Sequence, residues 1–120
     1  MADIFCCQDP IGHTVCLDED HWVTHVIVER VRAFLAGQEA AVELTISDPI
    51  TVTRDRNDAD RFNYYRPFAL QAPYDRVYLK VCVRFVWQPG NVHDDGFVVT
   101  AYPVDQVHPR EDVIYDRLQP

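Results

Sequence analysis

A set of cationic and hydroxyl-bearing side chains lies on two neighbouring segments of the second half of the chain. YLKVCVRFV and GFVVTAYPV are rich in β-branched and aromatic residues, which is typical of strands. Because side chains alternate along a strand, Lys80 and Arg84 share one face, and Thr100 and Tyr102 share one face of the partner. Such groups are suited to phosphate binding and to metal-free chemistry on phosphodiesters. An ordinary solvated sheet face is the alternative interpretation of the same pattern.

The charge of the chain is unevenly distributed. The net charge of −8 argues against general nucleic-acid binding. Residues 54–84 nevertheless contain seven basic and four acidic residues, a local charge of +3, so the remainder carries −11. The sequence therefore predicts a locally positive sheet face on an acidic protein.

Composition predicts one globular domain, residues 1–120, in the cytoplasm. No apolar run reaches the roughly 18 residues that a membrane-spanning helix requires, and the first residues lack the pattern of a signal peptide. Cys6, Cys7, Cys16 and Cys82 form no C-x-x-C pair and are expected to be small buried or half-buried thiols. Cys6, His13 and Cys16 offer donor atoms for zinc, but their spacing does not demand a metal. We expect no cofactor and no metal site.

Hydrophobic periodicity predicts the elements that position these residues. Residues 3–17 are predicted to form two short strands around the turn at 9–12. A helix is predicted from the cap at Asp18 to Gly37, followed by a shorter helix over about 38–47. The first helix carries an apolar stripe at Val23, Ile27, Val31 and Phe34.

The second half of the chain is predicted to be β-structure. Four strands are indicated, ITVTR, RFNYYRPF, RVYLKVCVRFVW and FVVTAYPV, with a further short strand or helix in the tail from Asp105. The predicted fold is α+β, with an N-terminal β-hairpin and two helices packed on one face of a twisted antiparallel sheet of about four strands. The helix stripe is expected to pack on Val81, Val83, Val99 and Ala101.

The order of several short motifs resembles that of the phage-associated barnase–EndoU–colicin–RelE-like (BECR-like) nucleases. The motifs run from about Asp9 to Pro103 and are DPIGH-x-V-x-L, DEDHW-x-x-H, T-I-x-x-P, R-x-R-x-D, NYYRP, YLKVCVRF and GFVVTAYP. The resemblance implies an α+β domain with ribonuclease activity, often as a toxin in conflicts between bacteria, phages and mobile elements. Its expected partners are an RNA substrate and a neutralising antitoxin or immunity protein, with no membrane association. We expect cleavage without a metal ion, because the predicted sheet face offers no converging carboxylates.

The resemblance assigns roles to individual residues. His25 is the expected general acid or base, and Arg54 and Lys80 are expected to stabilise charge on the phosphate. Tyr102 is the fourth expected catalytic residue. The expected substrate-binding residues are Tyr64, Tyr65, Arg66 and Thr100, to which the alternation along the long strand adds Arg84.

One departure from the family pattern leaves a second interpretation open. Relatives commonly carry a second histidine shortly after the first, whereas here the segment is VERVRAF, with Arg30 near the expected position. Without that histidine, the acidic chain is also suited to a non-catalytic interaction module. Such a module would be a degenerate nuclease or an immunity-type inhibitor.

Overall fold

The computed structural model describes residues 3–29, 33–86 and 95–118 of the chain. Helical structure comprises a π-helix (His21–Glu29), a 3₁₀ turn (Ala33–Leu35) and the α-helix α1 (Glu39–Ser47). None of the helices in these ranges is long and apolar enough to cross a membrane. The strands are β1 (Asp3–Gln8), β2 (Thr14–Asp18), β3 (Thr51–Arg54), β4 (Arg61–Pro67), β5 (Tyr78–Val86), β6 (Asp95–Val104) and β7 (Val113–Asp116).

The described strands form one mixed sheet of seven, in the order β1-β2-β6-β5-β4-β3-β7. The pairing of β2 with β6 is parallel, and the other pairings are antiparallel. The predicted fold, two helices on an antiparallel sheet of about four strands, is therefore wrong. The reason is that the hairpin joins the sheet through β6 and the tail joins it through β3, and local periodicity carries no information about such distant pairings.

A β-bulge in β6 changes which side chains reach the core. Cys82 pairs with Thr100, but Val83 pairs with Val98, so Val99 is the extra residue. As a result Val98 is only 3% exposed, whereas Phe97 shares a face with Arg84 and is 47% exposed. The predicted inward position of Val99 is wrong, because the bulge shifts the alternation by one residue.

The core lies between the helices and one face of the sheet. The buried side chains of the central strands include Tyr64, Val81 and Ala101, and α1 adds Val42 and Ile46. We call this side of the sheet the core face. The opposite side is the polar face.

The predicted stripe of the first helix is wrong. Val26 is fully buried, together with Trp22, while Val23 is 48% exposed. Phe34 is also exposed, Ile27 packs against the edge of the core, and Val31 lies outside the described residues. A π-helix turns more slowly per residue than the 3.6-residue helix assumed in the prediction, so a different set of side chains faces the sheet.

The segment between β6 and β7 crosses the polar face. The chain leaves β6 beside β5 and enters β7 beside β3, so residues 105–112 pass over β5, β4 and β3. Glu111 of this segment is bonded to Thr53 and Asn63 on the polar face. We call residues 105–112 the strap. The polar face is partly covered by it and is not an open solvated surface.

A disulfide joins the two strands of the N-terminal hairpin. Cys6 and Cys16 are direct cross-strand neighbours, with their Cα atoms 4.1 Å apart. The prediction of free thiols is wrong for this pair, although Cys7 and Cys82 are free. The same bond occupies both sulfur atoms of the imagined zinc site, and His13 instead pairs with Asp9 at 3.0 Å.

Candidate functional site

Three side chains lie side by side on the polar face, across β4, β5 and β6. The register pairs Tyr65 with Lys80 and Lys80 with Tyr102. The Lys80 ammonium nitrogen lies 5.7 Å from the centroid of the Tyr65 ring and 5.4 Å from that of Tyr102. These distances are within the range of cation–π contacts. We call Tyr65, Lys80 and Tyr102 the Lys80 cluster.

The cluster keeps a cation beside a neutral phenol. Burial opposes the charge of Lys80, but its hydrogen bond to the Tyr102 phenol and the neighbouring Tyr65 and Cys82 raise its pKa above the ordinary value. Burial raises the pKa of Tyr65, and this outweighs the opposing effects of Thr53 and Lys80. At neutral pH the site therefore offers an ammonium charge and hydroxyl donors, which together favour an oxyanion.

A second row of polar side chains lies beside the cluster. Thr53, Asn63, Cys82 and Thr100 are consecutive cross-strand neighbours on β3, β4, β5 and β6. All four are buried. Burial raises the pKa of the Cys82 thiol, so this row is uncharged at neutral pH.

Glu111 fixes the strap above this row. Its Oε1 accepts hydrogen bonds from the Thr53 hydroxyl at 2.9 Å and the Asn63 amide at 3.0 Å. Its Oε2 accepts the backbone N–H of Arg56 at 3.0 Å. The Tyr65 hydroxyl lies 3.5 Å from Oε1, so the strap also borders the Lys80 cluster. Sequence analysis missed Glu111, because nothing in the polar segment around it indicates burial.

Two histidines of the π-helix lie next to β6. The rings of His21 and His25 are 5.0 Å apart between centroids and inclined by 34°. The Nε2 atom of His21 is 2.7 Å from the carbonyl oxygen of Val99. Because a carbonyl only accepts, this nitrogen carries the proton. The pair thus flanks the strand that bears Thr100 and Tyr102.

Comparison with protein-family models, with curated proteins and with solved structures finds no match for this chain. The candidate site therefore rests on its own geometry. His21 was not among the predicted site residues, although its spacing of four from His25 was a signal. Arg30, which stands near the position expected of a second histidine, lies outside the described residues.

Tyr64 does not belong to the candidate site. It follows the alternation of β4 onto the core face, where it is fully buried and donates a hydrogen bond to Asp9. Burial and the Asp9 carboxylate raise the pKa of Tyr64, so the phenol remains protonated. Its predicted role in substrate binding is wrong, because adjacent residues of a strand cannot share a face.

The three predicted arginines do not converge on the Lys80 cluster. Arg66 binds the backbone and carboxylate of Asp48, with the carboxylate contact at 3.1 Å. The guanidinium of Arg54 lies 5.8 Å from the centroid of the Phe62 ring, at the far end of β3. Arg84 is exposed at the other end of β5 and lies 3.6 Å from Asp58.

The arrangement offers charge stabilisation and not metal ligation. Within the described ranges, a group of potential metal ligands is found at Asp3, Cys6 and Cys16, and the disulfide uses both thiols of that group. The carboxylate that borders the Lys80 cluster, Glu111, is engaged by neutral donors. The polar face contains an ammonium group, two phenols and a threonine hydroxyl. Lys80 and Tyr102 are half-buried, whereas Tyr65 and Thr100 are buried beneath the surface.

Proposed function

We propose that the protein is a metal-independent endoribonuclease of the toxin type that acts at the Lys80 cluster. The observation that carries the proposal is the Lys80 ammonium between the rings of Tyr65 and Tyr102. Thr100 lies on the same face, one row away. A preorganised cation with adjacent hydroxyl donors stabilises the charge that develops on a phosphodiester during cleavage.

In the proposed reaction the ribose 2′-oxygen attacks the adjacent phosphorus and the bond to the 5′-oxygen breaks. One proton leaves the 2′-hydroxyl and one is delivered to the departing 5′-oxygen, so the products are a 2′,3′-cyclic phosphate and a free 5′-hydroxyl. Lys80 stabilises the non-bridging oxygens. His25 and Tyr102 are the candidates for the two proton transfers. Tyr65 is fully buried, so its ring holds the Lys80 ammonium in place and is not a surface for base stacking.

The proposal is tested by incubating RNA and DNA of one sequence with the protein in EDTA and analysing the fragment ends. We expect RNA fragments with 2′,3′-cyclic phosphates and intact DNA, because DNA lacks the attacking hydroxyl. Lys80→Met should slow cleavage by about a hundredfold or more. Arg76→Gln, at an exposed position, is the matched loss of one positive charge.

Three outcomes would contradict the proposal. They are equal cutting of DNA, cleavage that EDTA abolishes, and equal loss of activity in the two variants. If no RNA is cleaved, the non-catalytic acidic interaction module is favoured instead.

A cytoplasmic toxin with a neutralising protein partner is the biological form of this proposal. Its support is a cationic site on a chain whose net charge is −8. A partner protein that blocks the site would be complementary to the local positive charge and not to the net negative charge of the chain. Expression in bacteria should arrest growth, and Lys80→Met should relieve the arrest. Growth that is equally arrested by the variant would count against RNA cleavage as the cause.

A further inference from the structure

A second polar groove lies where the loop after β3 meets the end of the strap. It has a volume of about 440 Å³, and its lining includes the exposed residues Arg54, Arg56 and Arg110. We call this the arginine groove. It is distinct from the Lys80 cluster, although Glu111 borders both.

The two walls of the arginine groove are fastened to each other. The backbone N–H of Arg56 donates to Glu111 at 3.0 Å, and that of Arg54 donates to the Asp112 carbonyl at 2.9 Å. The loop is further closed by Asp55, which accepts the backbone N–H groups of Asn57 and Asp58 at 3.0 and 3.1 Å. A groove whose backbone is fixed in this way loses little entropy when a ligand binds.

The arginines of the groove have guanidinium N–H donors available for a ligand. In the described parts of the chain, none of the three arginines forms an ion pair. The Arg54 guanidinium lies over the Phe62 ring, so Arg56 and Arg110 are the cations that the groove offers to a ligand. Two carboxylates that line the groove, Asp55 and Glu111, accept inward hydrogen bonds from Asn63 and from backbone N–H groups. With Asp112 the formal charges of the lining balance, against −8 for the whole chain.

We propose that the arginine groove binds phosphodiester groups of single-stranded RNA beside the scissile bond. Guanidinium groups match phosphate oxygens with two parallel hydrogen bonds, so the arginines of the groove favour a phosphate over an uncharged ligand. Arg54 is three residues along β3 from Thr51, which pairs with Tyr65, and β3 lies two strands away from Lys80, so the backbone positions of Arg54 and Lys80 are about 14 Å apart. A few nucleotides of one strand span that distance. The identity of the ligand rests on the proposed ribonuclease function.

The test uses a fluorescent single-stranded oligonucleotide with 2′-O-methyl groups, which cannot be cleaved by 2′-hydroxyl attack. Binding is followed by fluorescence anisotropy over a series of salt concentrations. The double variant Arg56→Gln/Arg110→Gln should weaken binding by about tenfold or more at low salt. The slope of log affinity against log salt should fall by about 1.4, or 0.7 for each lost phosphate contact.

The matched control is Arg76→Gln/Arg117→Gln, which removes the same charge from exposed positions outside the groove. It should leave both quantities close to those of the wild type. Thermal unfolding monitored by circular dichroism verifies that each variant is folded.

The outcomes separate this inference from the proposed function. Equal weakening of oligonucleotide binding by both double variants, or no binding by the wild type, would contradict RNA binding in the arginine groove. Stronger displacement of the oligonucleotide by polyglutamate than by polyphosphate would indicate an acidic protein partner and would also overturn it. Cleavage of unmodified RNA in EDTA, measured with the same protein preparations, reports on the Lys80 cluster separately. Binding without cleavage would retain the groove and reject the ribonuclease.

Discussion

Lys80 is the only lysine in the chain, so its titration can be observed without interference from other lysine side chains. We expect a pKa above the ordinary 10.5, because the hydrogen bond to Tyr102 and the neighbouring Tyr65 outweigh the cost of burial. The measurement is NMR of the protein after reductive methylation with a ¹³C label, and Tyr102→Phe should lower the pKa. Because the folded pKa is raised, this charge stabilises the fold fully below pH 10.5, and the stabilisation is lost as the pH rises through the folded pKa. A pKa below 10.5 in the wild type would contradict the cluster.

The strap is the element that closes the polar face, and Glu111 is its anchor. Glu111→Ala leaves the Thr53 hydroxyl, the Asn63 amide and the Arg56 N–H without their acceptor, so unfolding free energy should fall by about 2–4 kcal/mol. Urea denaturation measures this change. Asp112→Ala, at the exposed neighbouring position, is the control and should change stability by less than about 0.5 kcal/mol. Equal effects of the two substitutions would mean that the strap is not anchored by Glu111.

The π-helix makes a second prediction at the scale of elements. Val26 and Val23 belong to the same turn, but the first is buried and the second is exposed. Val26→Ala should therefore cost about 2 kcal/mol of unfolding free energy, from lost burial and the cavity it leaves. Val23→Ala should cost less than about 0.5 kcal/mol. If chemical denaturation showed a larger cost for Val23→Ala than for Val26→Ala, the apolar stripe predicted from the 3.6-residue period would be correct instead.

At the scale of the whole molecule, removal of the Cys6–Cys16 disulfide should change the stability of the fold without changing the proposed activity. It closes a short loop at one edge of the sheet, with a sequence separation of 10, and should contribute about 2.5–3 kcal/mol by the chain-entropy model. Cys6→Ser/Cys16→Ser should therefore lower the unfolding free energy by that amount. RNA cleavage below the melting temperature should be unchanged, because β6 and β5 carry Tyr102 and Lys80 while the disulfide lies on β1 and β2. Because the cytoplasm keeps thiols reduced, a loss of cleavage on reduction would argue against action in that compartment.

Alternation along single strands was sufficient to place much of the candidate site. It put Lys80 and Cys82 on one face of β5, and Thr100 and Tyr102 on one face of β6, because the period of two is a property of the backbone itself. The same rule, applied to β4, separates Tyr64 from Tyr65. The prediction that both tyrosines bind substrate followed the motif and ignored the alternation.

Tertiary structure decided the features that depend on residues distant in sequence. The bulge at Val99 places Val98 in the core, and neither residue type differs from its neighbours in a way that would reveal it. Glu111 is buried because the strap must cross β5, β4 and β3 to reach the position of β7, and the parallel pairing of β2 with β6 enlarges the sheet in the same non-local way. The sequence by itself therefore determined which side chains share a strand face, since backbone geometry is local. Only the assembled sheet determined which faces are covered, by what, and which arginines lie together, since those contacts depend on the long-range path of the chain.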